Sequence, residues 1–445
     1  MKKRLLSIFL AALMLLTLLP TVALATEPTN WSKLDSAMKG EAQASVTDVF
    51  AVENDTPEIG IRTITLLTDI TAGGEDTYLT VAAGKTIVLD LNGHTLDRGL
   101  SGKAAATDGN AIVVNGNLTI QDSSKLSNGM ITGGNTSNWG GGGICVRDGG
   151  MLTLESGAIT GNKSAKSGGG VFLACTAKFT MTGGMINQNH TDNGGGGVFC
   201  HSDFTLTDGE IASNTSLISG AGVYVHGDDK NKGNGITKHF TMTGGSIKNN
   251  ISSDKGGGVY ADNYDMDAQL LGGVISDNSA AKLGGGVCCN APITVGAKIQ
   301  ITGNTVNKAA NNVQLRNETK SEFNPVIKIS TPTDFTGKKQ VGVTLEGDKG
   351  AILESCTSSG VANFFFADDR STELVYDKST NSLVMQPDNS VLSKVTKLLA
   401  VAVSTTIAVR SITGAVKLVV GVPAAMAIAP QVIRTLGRIV FRHRF

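Results

Sequence analysis

His201, His226 and Asp262 each follow the same kind of short segment, in "VFCH", "VYVH" and "VYAD". Two imidazoles and a carboxylate could hold a zinc-like cation, or exchange protons at neutral pH. Two residues before each polar group stand Phe199, Tyr224 and Tyr260, with Phe172 in the matching place one segment before. A line of aromatic rings offers flat faces to sugar rings or to an apolar partner. Whether any of this chemistry exists depends on what brings residues so far apart in sequence to one place.

The positioning device is a repeat. Aligning the "GGGV" blocks places Ile144, Val171, Val198, Val223, Val259 and Val287 at one position, at steps of 27, 27, 25, 36 and 28 residues. A second block recurs in each unit as "LTLESGAITGN", "FTMTGGMINQN", "FTLTDGEIASN", "FTMTGGSIKNN" and "LLGGVISDN". The segments alternate apolar and polar residues, and glycines cut them too short for helices. Period two means strands with one buried face. Strand-and-turn units of this length, stacked coil on coil, predict a parallel β-solenoid with coils about 4.8 Å apart. Val171, Leu173, Phe179, Met181 and Ile186 should point inward in one coil; Val198, Cys200, Phe204, Leu206 and Ile211 should do so in the next.

The outward set follows from the inward one. The first column is Cys145, Phe172, Phe199, Tyr224, Tyr260 and Cys288; the second is Arg147, Ala174, His201, His226, Asp262 and Asn290. The ligand-binding candidates are therefore Phe172, Phe199, Tyr224 and Tyr260, expected as an exposed stripe, with His201, His226 and Asp262 beside them. The bland reading is that loops cover the rings or that they stack to stabilise the sheet. No metal or other cofactor is expected, since no CxxC occurs and stacked surface histidines are more often simply solvated. Asn162, Asn189, Asn214, Asn250, Asn278 and Asn304 recur at one turn and read as a structural ladder of left-handed residues. The glycine runs read as tight corners.

The "GGGV" blocks with "ITGN" or "ISDN" partners, preceded by "TITLLTDITAG" and "GKTIVLDLNGHTL", resemble right-handed parallel β-helix surface proteins of the adhesin-like type. They are distantly similar to the GGA[IL] and FxxN repeats of polymorphic outer-membrane proteins. The resemblance implies that "WSKLDSAMKG" is a short helix capping the first coil; the aromatic column is what points to binding of glycans or host surface polymers by an adhesin-like module. The expected class is all-β, a right-handed parallel β-helix with an N-terminal capping helix and a hydrophobic, basic, helical C-terminal tail. The expected divisions are a signal peptide over 1–25, cap and linker over 26–58, β-helix over 59–308, irregular closing coils over 309–388 and the tail over 389–445.

Composition argues against a bulky globular core and for a repeat. Aromatics are only 5%, and 56 glycines stand against 9 prolines. Lys2, Lys3 and Arg4, an apolar run to Leu19 and "ALA" at 23–25 form a secretory signal. With 3 basic residues there and 8 after Asp388, the middle carries 27 basic residues against 38 acidic ones. Such a body argues against nucleic acid as a partner. In the tail, 411–433 carries only Lys417 and is followed by four arginines, which predicts membrane contact and a tether for an extracellular solenoid.

An enzyme remains the alternative, because many parallel β-helices cleave acidic polysaccharides as lyases or glycoside hydrolases. Carboxylates stand at Asp228, Asp229, Asp262, Asp265 and Asp267, but no arginine or lysine occupies a matching place in adjacent coils to complete a catalytic set. A passive structural spacer is the third reading.

Overall fold

The computed structural model describes residues 28–388 and 390, apart from 42–46, 54–59, 228–237, 263–265, 291, 316–326, 331–334, 336–337, 347–349 and 354–358. The signal segment 1–25, Asp228, Asp229, Asp265, Cys356 and all of the tail but Ser390 lie outside the described residues.

The chain is an all-β parallel solenoid of about ten coils with a small N-terminal helix. One coil is built from the strands Val198–Cys200, Asp203–Ala212 and Thr215–Ser216. Each pairs in parallel with its counterparts one coil below and one above, so Val171, Val198, Val223, Val259, Val287 and Val313 form one line. Ile159, Ile186, Ile211, Ile247, Ile275 and Ile301 form another. All are buried to within 1% of their surface. Full burial of such a side chain is worth roughly 1.5–3 kcal/mol, and every coil adds several. Phe179, Phe204 and Phe240 stack inside at 4.7 and 5.2 Å between ring centres. The apolar core is thus a set of ladders that each coil extends by one rung, which is how a chain with few aromatics fills its interior.

The asparagines form a rung of their own, in a different way from the one expected. The left-handed residue is the one before each: Gln188, Ser213, Asn249 and Asp277 have φ of 54°, 55°, 56° and 57°, and glycine fills the place at 161 and 303. That bend turns the following asparagine inward, where it is buried. The Asn189 main-chain N–H and Nδ2 donate to Oδ1 of Asn214 at 3.0 and 3.1 Å, and Asn214 donates likewise to Asn250. The line continues through Asn278 and Asn304 to Asn312. Each amide satisfies backbone groups that the bend leaves without a strand partner, which a buried turn must do.

Both open ends are closed. The helix Asn30–Lys39 starts on the Thr29 hydroxyl and ends at Gly40, φ 78°. It buries Trp31, Leu34, Ala37 and Met38 against the first coil, while Trp31 Nε1 donates to the Thr77 carbonyl and Arg62 donates to that of Ala37. Phe50–Glu53 pairs antiparallel with Ile61–Leu66. At the far end parallel stacking runs on through Val341–Leu345 to Phe365–Ala367. The antiparallel pair Thr372–Asp377 and Ser382–Pro387 then folds against Gly350–Leu353. Covering edges in this way blocks pairing with other chains. Among the described residues, no helix is long and apolar enough to cross a membrane.

Candidate functional site

The second outward column holds its register through the long unit. The main-chain N–H groups of Ala174, His201, His226, Asp262 and Asn290 donate to the carbonyls of Val146, Leu173, Cys200, Val225 and Ala261, one coil earlier in each case. The longer step to Val259 comes from residues inserted after this column, so Asp262 stays in line. The sheet therefore brings together residues up to 116 positions apart, from Ala174 to Asn290.

The first column is a ring stack, and it is not the exposed stripe expected. Phe172 lies parallel to Phe199 at 5.4 Å and 6°; Phe199 meets Tyr224 edge-on at 5.1 Å; Tyr224 meets Tyr260 at 5.1 Å. Phe199 is 8% exposed and Tyr260 5%, with Cys145 and Cys288 fully buried and only Phe172 and Tyr224 half-buried. The glycine corners are the reason. The rings leave the solenoid outward and then lie along the corner of the preceding coil: a Cβ at Gly194 would meet Tyr224 Cδ1, and one at Gly140 would stand 2.9 Å from Phe172 Cδ2. These glycines make room for rings as well as turning the chain.

Beside the stack runs a polar line. Cys175 Sγ lies 3.2 Å from His201 Nδ1. The His201 and His226 rings are 5.1 Å apart, and His226 Nδ1 is 3.5 Å from Asp262 Oδ2. Tyr224 donates to Asp262 Oδ2 at 2.5 Å and Tyr260 to Oδ1 at 3.0 Å, while Asn290 Nδ2 donates to the Tyr260 hydroxyl. Burial raises the Asp262 pKa, but His226 and the two tyrosine hydroxyls outweigh it and hold the carboxyl below its ordinary value. Burial and the Asp262 charge push both tyrosines up. Asp262 is thus an ionised anchor for two rings and an imidazole.

The line is spread along the solenoid axis. Among the described residues, no three His, Cys, Asp or Glu side chains converge on a point that could hold a metal ion. His201, His226 and Asp262 are brought together as successive rungs, with each partner reached from one side only. Of the other carboxylates, Asp267 pairs through its strand with His239.

Two parts of the site escaped the sequence reading. Cys175 belongs to neither column, yet it is Cys175 that reaches His201, because Ala174 in the column is too short to do so. At the N-terminal end, Trp139 is 58% exposed at φ 56°, with the Arg147 guanidinium 4.5 Å from its ring centre. Trp139 immediately precedes Gly140, the glycine against which Phe172 lies, and its ring is well exposed. Its position just before "GGGG" was the available signal.

No protein-family model matches the chain, and no curated protein or solved structure matches it.

Proposed function

We propose that this protein is a secreted or surface-displayed binding module that presents one rigid face of its solenoid to a glycan or another cell-surface polymer. The supporting observation is the continuous register of Phe172, Phe199, Tyr224 and Tyr260 beside His201, His226 and Asp262. Half-exposed ring surface at Phe172 and Tyr224 lies next to groups that both donate and accept hydrogen bonds. That combination suits sugars, whose rings have an apolar face and a rim of hydroxyls. A polymer suits a site that repeats once per coil, because weak contacts on successive rungs add. The signal-like segment at 1–25 and the basic apolar stretch after 388 support display outside the cell with a membrane tether.

Cleavage by a lyase or hydrolase mechanism has less support. The carboxylate in the line, Asp262, already accepts from Tyr224 and Tyr260 and faces His226. A glycan array probed with the full chain tests the binding reading. Wild type should bind a defined group of polysaccharides, and Tyr224→Ala combined with His226→Ala should weaken that signal at least tenfold. Equal signal from both proteins would remove the proposed face.

A further inference from the structure

Cys175 differs from the other cysteines of the repeat region. Cys145, Cys200, Cys288 and Cys289 are fully buried, and burial pushes the Cys145 thiol up to about 11 and Cys289 well above the ordinary range. Cys175 instead sits half-buried in the turn after Val171–Leu173, with Sγ 3.2 Å from His201 Nδ1 and 3.9 Å from Nε2. His201 in turn packs on His226, which faces the ionised Asp262.

The charged surroundings of this turn are mixed. On the preceding coil, Arg147 lies over Trp139, and Asp148 accepts from the main chain and hydroxyl of Thr176. On the following coil, Asp203 accepts from the main-chain N–H of His239. The His201 imidazole is in direct contact with the thiol, and an imidazolium beside a thiol favours the thiolate.

We propose that Cys175 is a reactive thiol, activated by His201, that exchanges with low-molecular-weight disulfides. The thiol proton passes to the His201 imidazole, and the thiolate attacks one sulfur of the disulfide. A new bond forms between Cys175 Sγ and that sulfur as the S–S bond breaks. The departing thiolate leaves with the electron pair and takes the proton back from His201. Cys175 is oxidised to the mixed disulfide and half of the co-reactant is reduced to thiol. His226 and Asp262 act as positioning residues that hold the His201 ring in place. A thiol switch here would alter the polar edge of the proposed binding face, although the exchange itself does not depend on that face binding anything.

The test uses the full chain, iodoacetamide for rates, oxidised glutathione for exchange, and peptide mapping to assign each modified cysteine. A thiol whose proton is shared with a neighbouring imidazole keeps more thiolate at pH 6 than an unassisted one, and the lower intrinsic nucleophilicity of such a thiolate offsets part of that gain, leaving a net advantage of about tenfold. Alkylation of Cys175 should therefore be about tenfold faster at pH 6 in wild type than in His201→Phe, with the advantage vanishing by pH 9. Glutathione should add at Cys175 and not at Cys200 or Cys289. Retained protection of those two buried thiols in His201→Phe shows that the coil is still folded, and His201→Asn provides a second variant if it is not. Identical pH profiles in wild type and a folded variant, or no adduct at Cys175, would overturn the proposal.

Discussion

Two carboxylates in this molecule are set against each other by their surroundings. Asp262 is held low by His226, Tyr224 and Tyr260, despite burial. Asp368 is raised, because burial outweighs the hydrogen bonds it accepts from Asn312 and Thr344. A group with a lowered folded pKa contributes stability above its unfolded value, near 3.9, and loses it as pH falls through the folded value. For a raised carboxyl the contribution is present below the unfolded value and fades as pH rises through the folded one. Asp262→Asn should cost about 1.5–3 kcal/mol at neutral pH, the worth of a hydrogen bond to a charged group, with the cost shrinking in acid. Asp368→Asn should match wild type in acid and gain on it as pH rises toward neutrality. Urea unfolding of the three proteins from pH 3 to pH 7 checks both signs, and parallel curves would show that neither environment is as described.

At the scale of elements, the asparagine line carries more of the structure than its polar character suggests. Asn214 accepts from the N–H and Nδ2 of Asn189 and donates to Ile186 O and Asn250 Oδ1, all in the interior. Asn214→Ala leaves several of these buried groups without partners, at about 1–3 kcal/mol each, so a loss of about 3 kcal/mol or more is expected. Thermal and denaturant unfolding measure it; a loss below 1 kcal/mol would mean that water enters the turn. The line runs in one direction, so its last rung presents donors with no further asparagine above. Asp368 closes it, accepting from both the N–H and Nδ2 of Asn312. The recurrence of "ITGN", "INQN" and "ISDN" made the ladder readable in sequence. Its closing residues were not, because Asn312 and Asp368 are 56 residues apart and sit where the period breaks down.

For the whole molecule, periodicity explains both what the sequence discloses and what it hides. Strand identity, the inward set and the two outward columns follow from alternation and a fixed step, and Val198, Cys200, Phe204, Leu206 and Ile211 are all buried. Burial of the outward rings could not be read that way. It depends on Tyr224 lying over Gly194 of the coil below, a contact between units that no pattern within one unit states. The same limit hid Cys175, whose partner lies 26 residues on, one place out of column. Stacking fixes direction from Val to Val, whereas side chains that lean across coils are set by the sizes of their neighbours.

The proposed ligand face is the edge presented by half-buried Phe172 and Tyr224 together with His201 and His226, with Phe199 and Tyr260 buried in the ring stack beneath it. Covalent footprinting of the full chain, with and without the strongest glycan found on the array, tests it most directly. Phe172, Tyr224, His201 and His226 should be protected, with labelling unchanged at the exposed Leu217 and Ile251 beside the strand line that includes Thr215–Ser216. Protection at Leu217 and Ile251 with the histidine line still fully labelled would contradict it.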